Sequence, residues 1–203
     1  GAEKMLISIG RSLNSEGLGL ERTGIRTERG KVLVNEKMVT SVPGIYAVGD
    51  VASRYLLAHI ASAEGIVAAQ NCMDGNAEMD YSTVPWCVFT IPEIARVGMT
   101  EEEAKAEGYE IKVGRFPYAA SGKALGMRET DGFVKVISDT EIGDLLGVHI
   151  LGAHASDLIH EAAVAIRLGA SVADLAHTIH AHPTLAEAVM ESAEAALMDA
   201  ERI

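Results

Sequence analysis

Long apolar runs are missing from this 203-residue chain: none approaches the roughly 20 residues a membrane helix needs, and no secretory signal is visible. Positive charge is scarce as well. Seventeen Lys and Arg stand against 29 Asp and Glu, a formal net charge of −12, which argues against a nucleic-acid surface. Cysteine is nearly absent. Cys72 and Cys87 stand at a spacing that fits no metal or redox motif. One falls on a predicted helix and the other in an apolar strand, so both are expected to be buried small hydrophobes, and the compartment reads as cytoplasmic. Ser121-Gly122-Lys123 lacks the spacing of a phosphate-binding loop and reads as an ordinary loop. No internal repeat or low-complexity tract occurs.

What is present suits an ordinary globular chain: 48% hydrophobic and 23% charged residues, in a length that allows one large domain or two small ones. The first residue is not methionine, and the apolar run Met5-Leu6-Ile7 follows almost at once. That abrupt start leads us to expect a segment of a longer polypeptide.

Residues 5–9, 31–35 and 45–48 read as strands, and 56–73 as a helix apolar on more than one face, ended by Asp74-Gly75-Asn76. Residues 12–30 read as loop with brief structure. Past a connector at 76–83 the character changes. Residues 86–90, 95–98, 111–117, 133–138 and 145–151 are strand candidates without long crossovers, which favours an antiparallel sheet. Thr100 to Glu107 opens with a capping box, Thr-x-x-Glu. Helices are expected over 155–168, 171–178 and 184–200, the last with Leu185, Val189 and Leu197 inward.

Two stretches carry chemistry. In His180-Ala-His-Pro-Thr-Leu-Ala-Glu187, Pro183 keeps His182 at the mouth of a helix, and Glu187 can fold back toward its ring. A carboxylate on one ring nitrogen fixes the tautomer and raises the basicity of the other, which makes a general base. Thr184 and Glu187 also spell a capping box; the two roles can coexist in part, but Glu187 cannot serve both partners fully. His177, His180 and His182 lack a convincing fourth ligand, so no metal site is expected. In Ile45-Tyr-Ala-Val-Gly49-Asp50-Val51, Gly49 allows close approach to the backbone. Asp50 can accept from sugar or ribitol hydroxyls, and the helix amides around Leu56 to His59 can meet a polar cofactor. The plainer alternatives are a strand-to-helix loop capped by Asp50 and an ordinary helix histidine at 59.

The segments Leu6–Arg11, Gly17–Leu20, Val42–Val51, Leu56–His59, Thr90–Gly98, Leu146–Gly152 and His180–Glu187, in this order, resemble the FAD-dependent pyridine nucleotide–disulfide oxidoreductases. Within that family they resemble the dihydrolipoamide dehydrogenases. The Leu-Ala-His after Gly-Asp and the His-Ala-His-Pro-Thr tail favour these over the glutathione reductases and the mercuric reductases.

The resemblance implies an α/β (α+β) fold. Residues 1–81 would be the end of an NAD domain and the closing, C-terminal part of a FAD-binding domain. Residues 82–203 would be an antiparallel-sheet interface domain with flanking helices. Asp50, after Gly49, would bind the FAD ribitol region, and Leu56, Leu57, Ala58 and His59 would lie along the flavin. Gly10 would sit beside NAD. His182 would take the proton of a dihydrolipoamide thiol, oriented by Glu187, at the flavin site of the partner subunit of a homodimer, with the His-Pro bond cis. The lipoyl domain of a 2-oxo acid dehydrogenase or glycine cleavage complex would be the reaction partner.

The family's Gly-x-Gly-x-x-Gly and its cysteine pair separated by four residues do not occur here, and Cys72 and Cys87 cannot replace that pair. The chain alone is therefore expected to be inactive and to retain no FAD. A fragment of a glutathione-reductase-like enzyme, or a non-catalytic dimerisation module, are the alternatives.

Overall fold

The computed structural model describes residues 1–198 and divides into two compact units, Gly1–Asp80 and Tyr81 onward. The first unit has little regular structure. Strands β1 (Thr27–Glu28) and β2 (Lys31–Val32) form an antiparallel hairpin. Its two-residue turn, Arg29 and Gly30, has positive φ at both positions, the turn whose twist matches paired strands. The ladder stops short of the expected Asn35 because that side chain accepts from the amides of Lys37 and Val39 and turns the chain.

Residues 45–48 do not form a strand; only Tyr46 bridges Val39. Residues 5–9 do not form one either. Met5, Leu6, Ile7 and Ile9 are all strongly exposed, and among the described residues no strand pairs with them. An apolar run without a neighbouring ladder has no partner for its amides and carbonyls.

Helix α1 (Ala58–Cys72) forms as expected, and Asp74 at φ 60° turns the chain out of it. It buries one side only: Ile60, Val67 and Ala68, together with the polar Glu64 and Asn71, while Ile66 faces outward. Asn71 joins the amide of Ala77 to the carbonyls of Lys37 and Ala77. Cys72, expected inside, is exposed in the last turn of α1.

The second unit is a five-stranded antiparallel sheet in the order β3-β4-β7-β6-β5. The strands are β3 (Trp86–Val88), β4 (Glu93–Gly98), β5 (Ile111–Pro117), β6 (Phe133–Asp139) and β7 (Leu145–Gly152). One face alternates Ala95, Val97, Val134, Val136, Val148 and Ile150, all buried. Helix α4 (Ala155–Arg167) packs there on β4 and β7, and α6 (Glu187–Leu197) on β5 and β6, with α5 (Val172–His177) against α6.

Gly114 lets α6 approach the sheet. A Cβ there would lie 2.0 Å from the Ser192 carbonyl oxygen and 2.4 Å from the Ala196 nitrogen. Ser192 uses the same proximity to donate to Gly114 or Val134, whose carbonyls are both 3.1 Å away.

The opposite face carries a transverse row in register, Arg96, His149, Lys135 and Arg115. Helix α2 (Glu101–Ala106) lies over it, its Thr100 capping box fully formed. Glu101 pairs with Lys135 at 2.8 Å and Arg115 at 3.3 Å, and Glu103 reaches Arg96 at 3.9 Å.

Three expectations change in this unit. Ser121-Gly122-Lys123 is not a loop: the Ser121 hydroxyl accepts from Ala124 and caps a short helix, α3 (Gly122–Met127). The last helix begins at Glu187 rather than 184, because the Thr184 hydroxyl donates to Ala181 instead of capping; residues 199 and 200 of the expected helix lie outside the described residues. Leu185 and Val189 are buried, but Leu197 is exposed in the final turn of α6.

Candidate functional site

The connection between α5 and α6 brings the tail motif together. Helix α5 ends at His177, residues 178–186 run over the surface, and Leu185 anchors the chain again where α6 begins. The His182–Pro183 peptide is cis. His182 Nδ1 lies 2.8 Å from Glu187 Oε1, while the amide of Thr184 donates to Glu187 Oε2 at 2.8 Å. The carboxylate therefore gives each partner one oxygen, so the two roles coexist in part, as expected. The Thr184 hydroxyl does not complete the capping box, so α6 keeps half of it and the dyad keeps its full hydrogen bond.

The electrostatics follow. Glu187's carboxyl is held below the usual carboxylate range, first by the Thr184 amide and then by His182. An ionised carboxylate only accepts, so it selects the tautomer with the proton on Nδ1. Nε2 is left with its lone pair outward on a side chain that is 78% exposed. A proton donor meeting this edge meets a base whose ring orientation is already set.

A second histidine–carboxylate pair lies beside the first. His180 Nε2 is 2.7 Å from Glu161 Oε1 on α4, and His180 Nδ1 is 2.7 Å from the Thr178 carbonyl oxygen. Among the described residues, no three His, Cys, Asp or Glu side chains converge on a point where a metal ion could be held.

In the first unit, Gly49 and Asp50 open a 3-10 turn, Gly49–Val51, after extended Val48. Gly49 takes φ +73°, and a Cβ there would meet Ala61 at 3.2 Å. Its amide donates to Glu64 at 2.7 Å, and Glu64 is 1% exposed. Asp50 points outward and receives Arg11 Nη1 at 3.2 Å, while the same guanidinium donates to the Leu56 carbonyl. Arg11 thus ties Asp50 to the entry of α1. Leu57 is the N-cap residue of α1 and supplies no side-chain cap; Ala58 and His59 form its exposed first turn. Gly10 is exposed at φ +125°, with open space where a Cβ would be.

An outward carboxylate and an uncapped helix start offer acceptors and donors of the kind a polyol joined to an anion requires. Arg11, Glu64, Glu161 and the His180 pairing were not singled out from sequence. Glu64 is marked in the sequence as the single acidic residue of α1; the 19-residue separation of Glu161 and His180 carries no spacing signal.

Comparison with known proteins gives the chain a family context. Residues 84–193 match the pyridine nucleotide-disulphide oxidoreductase dimerisation domain, and residues 1–65 match the pyridine nucleotide-disulphide oxidoreductase model. The chain is 52% identical over 194 residues to a dihydrolipoyl dehydrogenase of Thermus scotoductus, covering 95% of the chain and 42% of that protein. It is 50% identical over 196 residues to one of Bacillus subtilis, covering 96% and 41%. The structure is similar to that of LpdA from Mycobacterium tuberculosis, with a TM-score of 0.88 and 33% identity over 96% of this chain and 42% of that one. It is also similar to the flavoprotein disulfide reductase RclA from Escherichia coli, with a TM-score of 0.84 and 28% identity over 92% and 44%. The chain spans about two fifths of the length of these relatives.

Proposed function

We propose a function on one premise: the chain belongs to the pyridine nucleotide-disulphide oxidoreductase family. It is part of a dihydrolipoyl dehydrogenase, which oxidises protein-bound dihydrolipoamide and reduces NAD. The observation that carries this reading is the His182–Glu187 hydrogen bond of 2.8 Å, with Nε2 outward. The relatives at about 50% identity supply the reaction class.

His182 Nε2 takes the proton of a substrate thiol, and the thiolate so formed attacks a disulfide, forming a mixed disulfide as the old S–S bond breaks and its other sulfur leaves as a thiolate. Glu187 holds the ring and balances the charge that the imidazolium acquires. FAD, when bound, supplies the two-electron relay between that disulfide chemistry and NAD.

In the first unit, which we assign with Tyr81 to the end of an NAD domain and the closing part of a FAD domain, Asp50 accepts from the ribitol. Gly49 and residues 56–59 lie along the flavin, and Gly10 lies beside NAD. The uncapped α1 and the outward Asp50 suit those roles. Residues 82–203 join two copies, so that each His182 serves the partner's flavin. The matched dimerisation domain supports this, as do Phe89, Ile91, Leu168 and Ile179, large apolar side chains left exposed on the second unit. A lipoyl domain is the substrate carrier, and the cytoplasm is the compartment.

The test is His182→Gln in the complete flavoenzyme. Exchange between dihydrolipoamide and the disulfide should slow by ~10²–10⁴-fold with flavin content unchanged. Turnover at the wild-type rate would remove His182 from the chemistry. The 203-residue chain, whose two cysteines are Cys72 and Cys87, should neither turn over alone nor hold stoichiometric flavin after desalting.

A further inference from the structure

We propose that His180 and Glu161 are a positioning pair that seats the His182–Glu187 dyad, an inference that rests on reading His182 as the base. Residues 177–184 connect α5 to the buried Leu185, and of these eight only His180 and Thr184 are not exposed. Ile179 on one side of His180 is 96% exposed, and Ala181, His182 and Pro183 on the other are exposed as well. The His180 side chain is 5% exposed. It is a buried side chain in a mostly exposed stretch, and it fastens that stretch to α4.

The partner it reaches is firm. Glu161 stands on α4, which packs on β4 and β7, the middle of the sheet.

Hydrogen-bond chemistry makes the contact strong. The Thr178 carbonyl can only accept, so His180 Nδ1 carries a proton. The 2.7 Å contact between Nε2 and Glu161 Oε1 then needs a second proton, on the ring or on the carboxyl. With the proton on the ring the bond joins an imidazolium to a carboxylate and is charge-assisted, the class worth about twice a neutral one; with the proton on the carboxyl it is an O–H···N hydrogen bond.

Downstream of His182 the turn is already clamped: Thr184 Oγ1 donates to Ala181, and the Thr184 amide donates to Glu187. Upstream, His180 is two residues from His182 and supplies the missing clamp. Its nearness also shows at the dyad: Glu187's carboxyl is held low first by the Thr184 amide, then by His182, and last by His180.

The test reads the tautomer of His182 by long-range proton–nitrogen correlation in the 203-residue chain. The wild type should carry the His182 proton mostly on Nδ1. Glu161→Ala frees His180, and the ratio of Nδ1–H to Nε2–H at His182 should fall about tenfold, the effect of losing one charge-assisted bond. Glu161→Gln should stay within about twofold, because its amide can donate to Nε2 of a neutral His180 that still donates to Thr178. His180→Asn, which can reach Thr178 but not Glu161, should behave like Glu161→Ala and replaces it if that variant does not fold.

An unchanged ratio in a folded Glu161→Ala or His180→Asn chain overturns the proposal. So does a loss in Glu161→Gln as large as in Glu161→Ala. The base assignment fails separately: if His182→Gln leaves the flavoenzyme's turnover intact while Glu161→Ala still moves the tautomer, His182 is not the base and the pair still seats its ring.

Discussion

The two units differ in where their polar backbone goes. From Tyr81 onward each strand of the five finds a neighbour in its own unit, and a continuous apolar core runs from Ala95 to Ala196 under α4, α5 and α6. In Gly1–Asp80 the core is a small cluster around Met38, Val67 and Ala68, and the one ladder is two residues long. The first unit holds its shape by side-chain tethers instead: Asn71 to Lys37 and Ala77, Glu64 to Gly49, and Arg11 to Asp50 and Leu56. An interlocked sheet tolerates the loss of one hydrogen bond; a tethered loop structure depends on each. The difference also sorts the candidate sites. The residues we propose to face a cofactor sit on the tethered unit, and the proposed base on the packed one.

The largest break in this contrast should come from Gly114→Val. Its side chain would drive α6 off β5, because a Cβ already meets backbone atoms at 2.0 and 2.4 Å. We expect at least ~3 kcal/mol of destabilisation, the upper range for overpacking, confined to the second unit. Amide exchange should accelerate across β5, β6 and α6 and stay unchanged in α1. A variant that melts like the wild type would show that α6 does not depend on that close approach.

Glu64→Ala is the matching break in the first unit, and smaller. Removing a buried acceptor leaves the Gly49 amide unpaired, a loss of ~1–3 kcal/mol. Exchange should quicken at 47–57 and leave the sheet untouched, whereas Glu64→Gln, which can still accept from Gly49, should restore most of the protection. Equal exchange at Gly49 in wild type and Glu64→Ala would mean that the tether is idle.

Legibility followed the same division. β5 was predicted with both its ends correct, and β6, β7, α2, α4 and α5 within a residue or two, because their apolar positions alternate or recur against partners in the same unit. Residues 5–9 and 45–48 have the composition of strands, but composition supplies no ladder. Cys72 was misplaced because it stands on the outer side of α1, next to the inward Asn71, and residue type alone does not fix the face. At the site, the His182–Glu187 pair was readable since five residues and a proline set its geometry. A partial double service of Glu187 was readable too; which oxygen faces which donor was not. Glu161 and His180 are joined only by the packing of α4, which no local pattern encodes.

A weaker probe of the packed unit is pH. His149 lies in the row between Arg96 and Lys135, its Nε2 3.0 Å from the Met99 carbonyl. Burial pushes its pKa down, and the two cations do so further. The folded state then binds the proton less readily than the unfolded chain, whose histidine titrates near ~6.5. Stability is therefore full above that value and falls as the pH drops through it toward the lowered folded value. His149→Gln should flatten this part of the stability–pH curve. A wild-type curve that is level from pH 7 to 5, with Glu101 and Glu103 still ionised, would contradict the burial of the ring.

The smallest effect on the fold, and the finest discrimination, should come from Glu187→Gln. Two donors face this side chain, the Thr184 amide and His182 Nδ1–H, and the carboxylate gives each an oxygen. A glutamine has one oxygen and one NH₂. If the oxygen stays with Thr184, the NH₂ faces His182 and favours the tautomer with the proton on Nε2, which is the wrong one for a base. If the oxygen turns to His182, the start of α6 loses its partner. The carboxyl's lowered pKa sets the sign of the acid response in the wild type. Its contribution is present above the unfolded value and lost as the pH falls through the folded one, and in Glu187→Gln that limb should vanish. For the complete flavoenzyme we expect slower thiol–disulfide exchange than wild type, a smaller loss than in His182→Gln, and near-normal thermal stability. A drop in stability with full activity would assign Glu187 to the helix alone. A drop in activity with His182 moved to its Nε2–H form would assign it to the base, through the tautomer it selects.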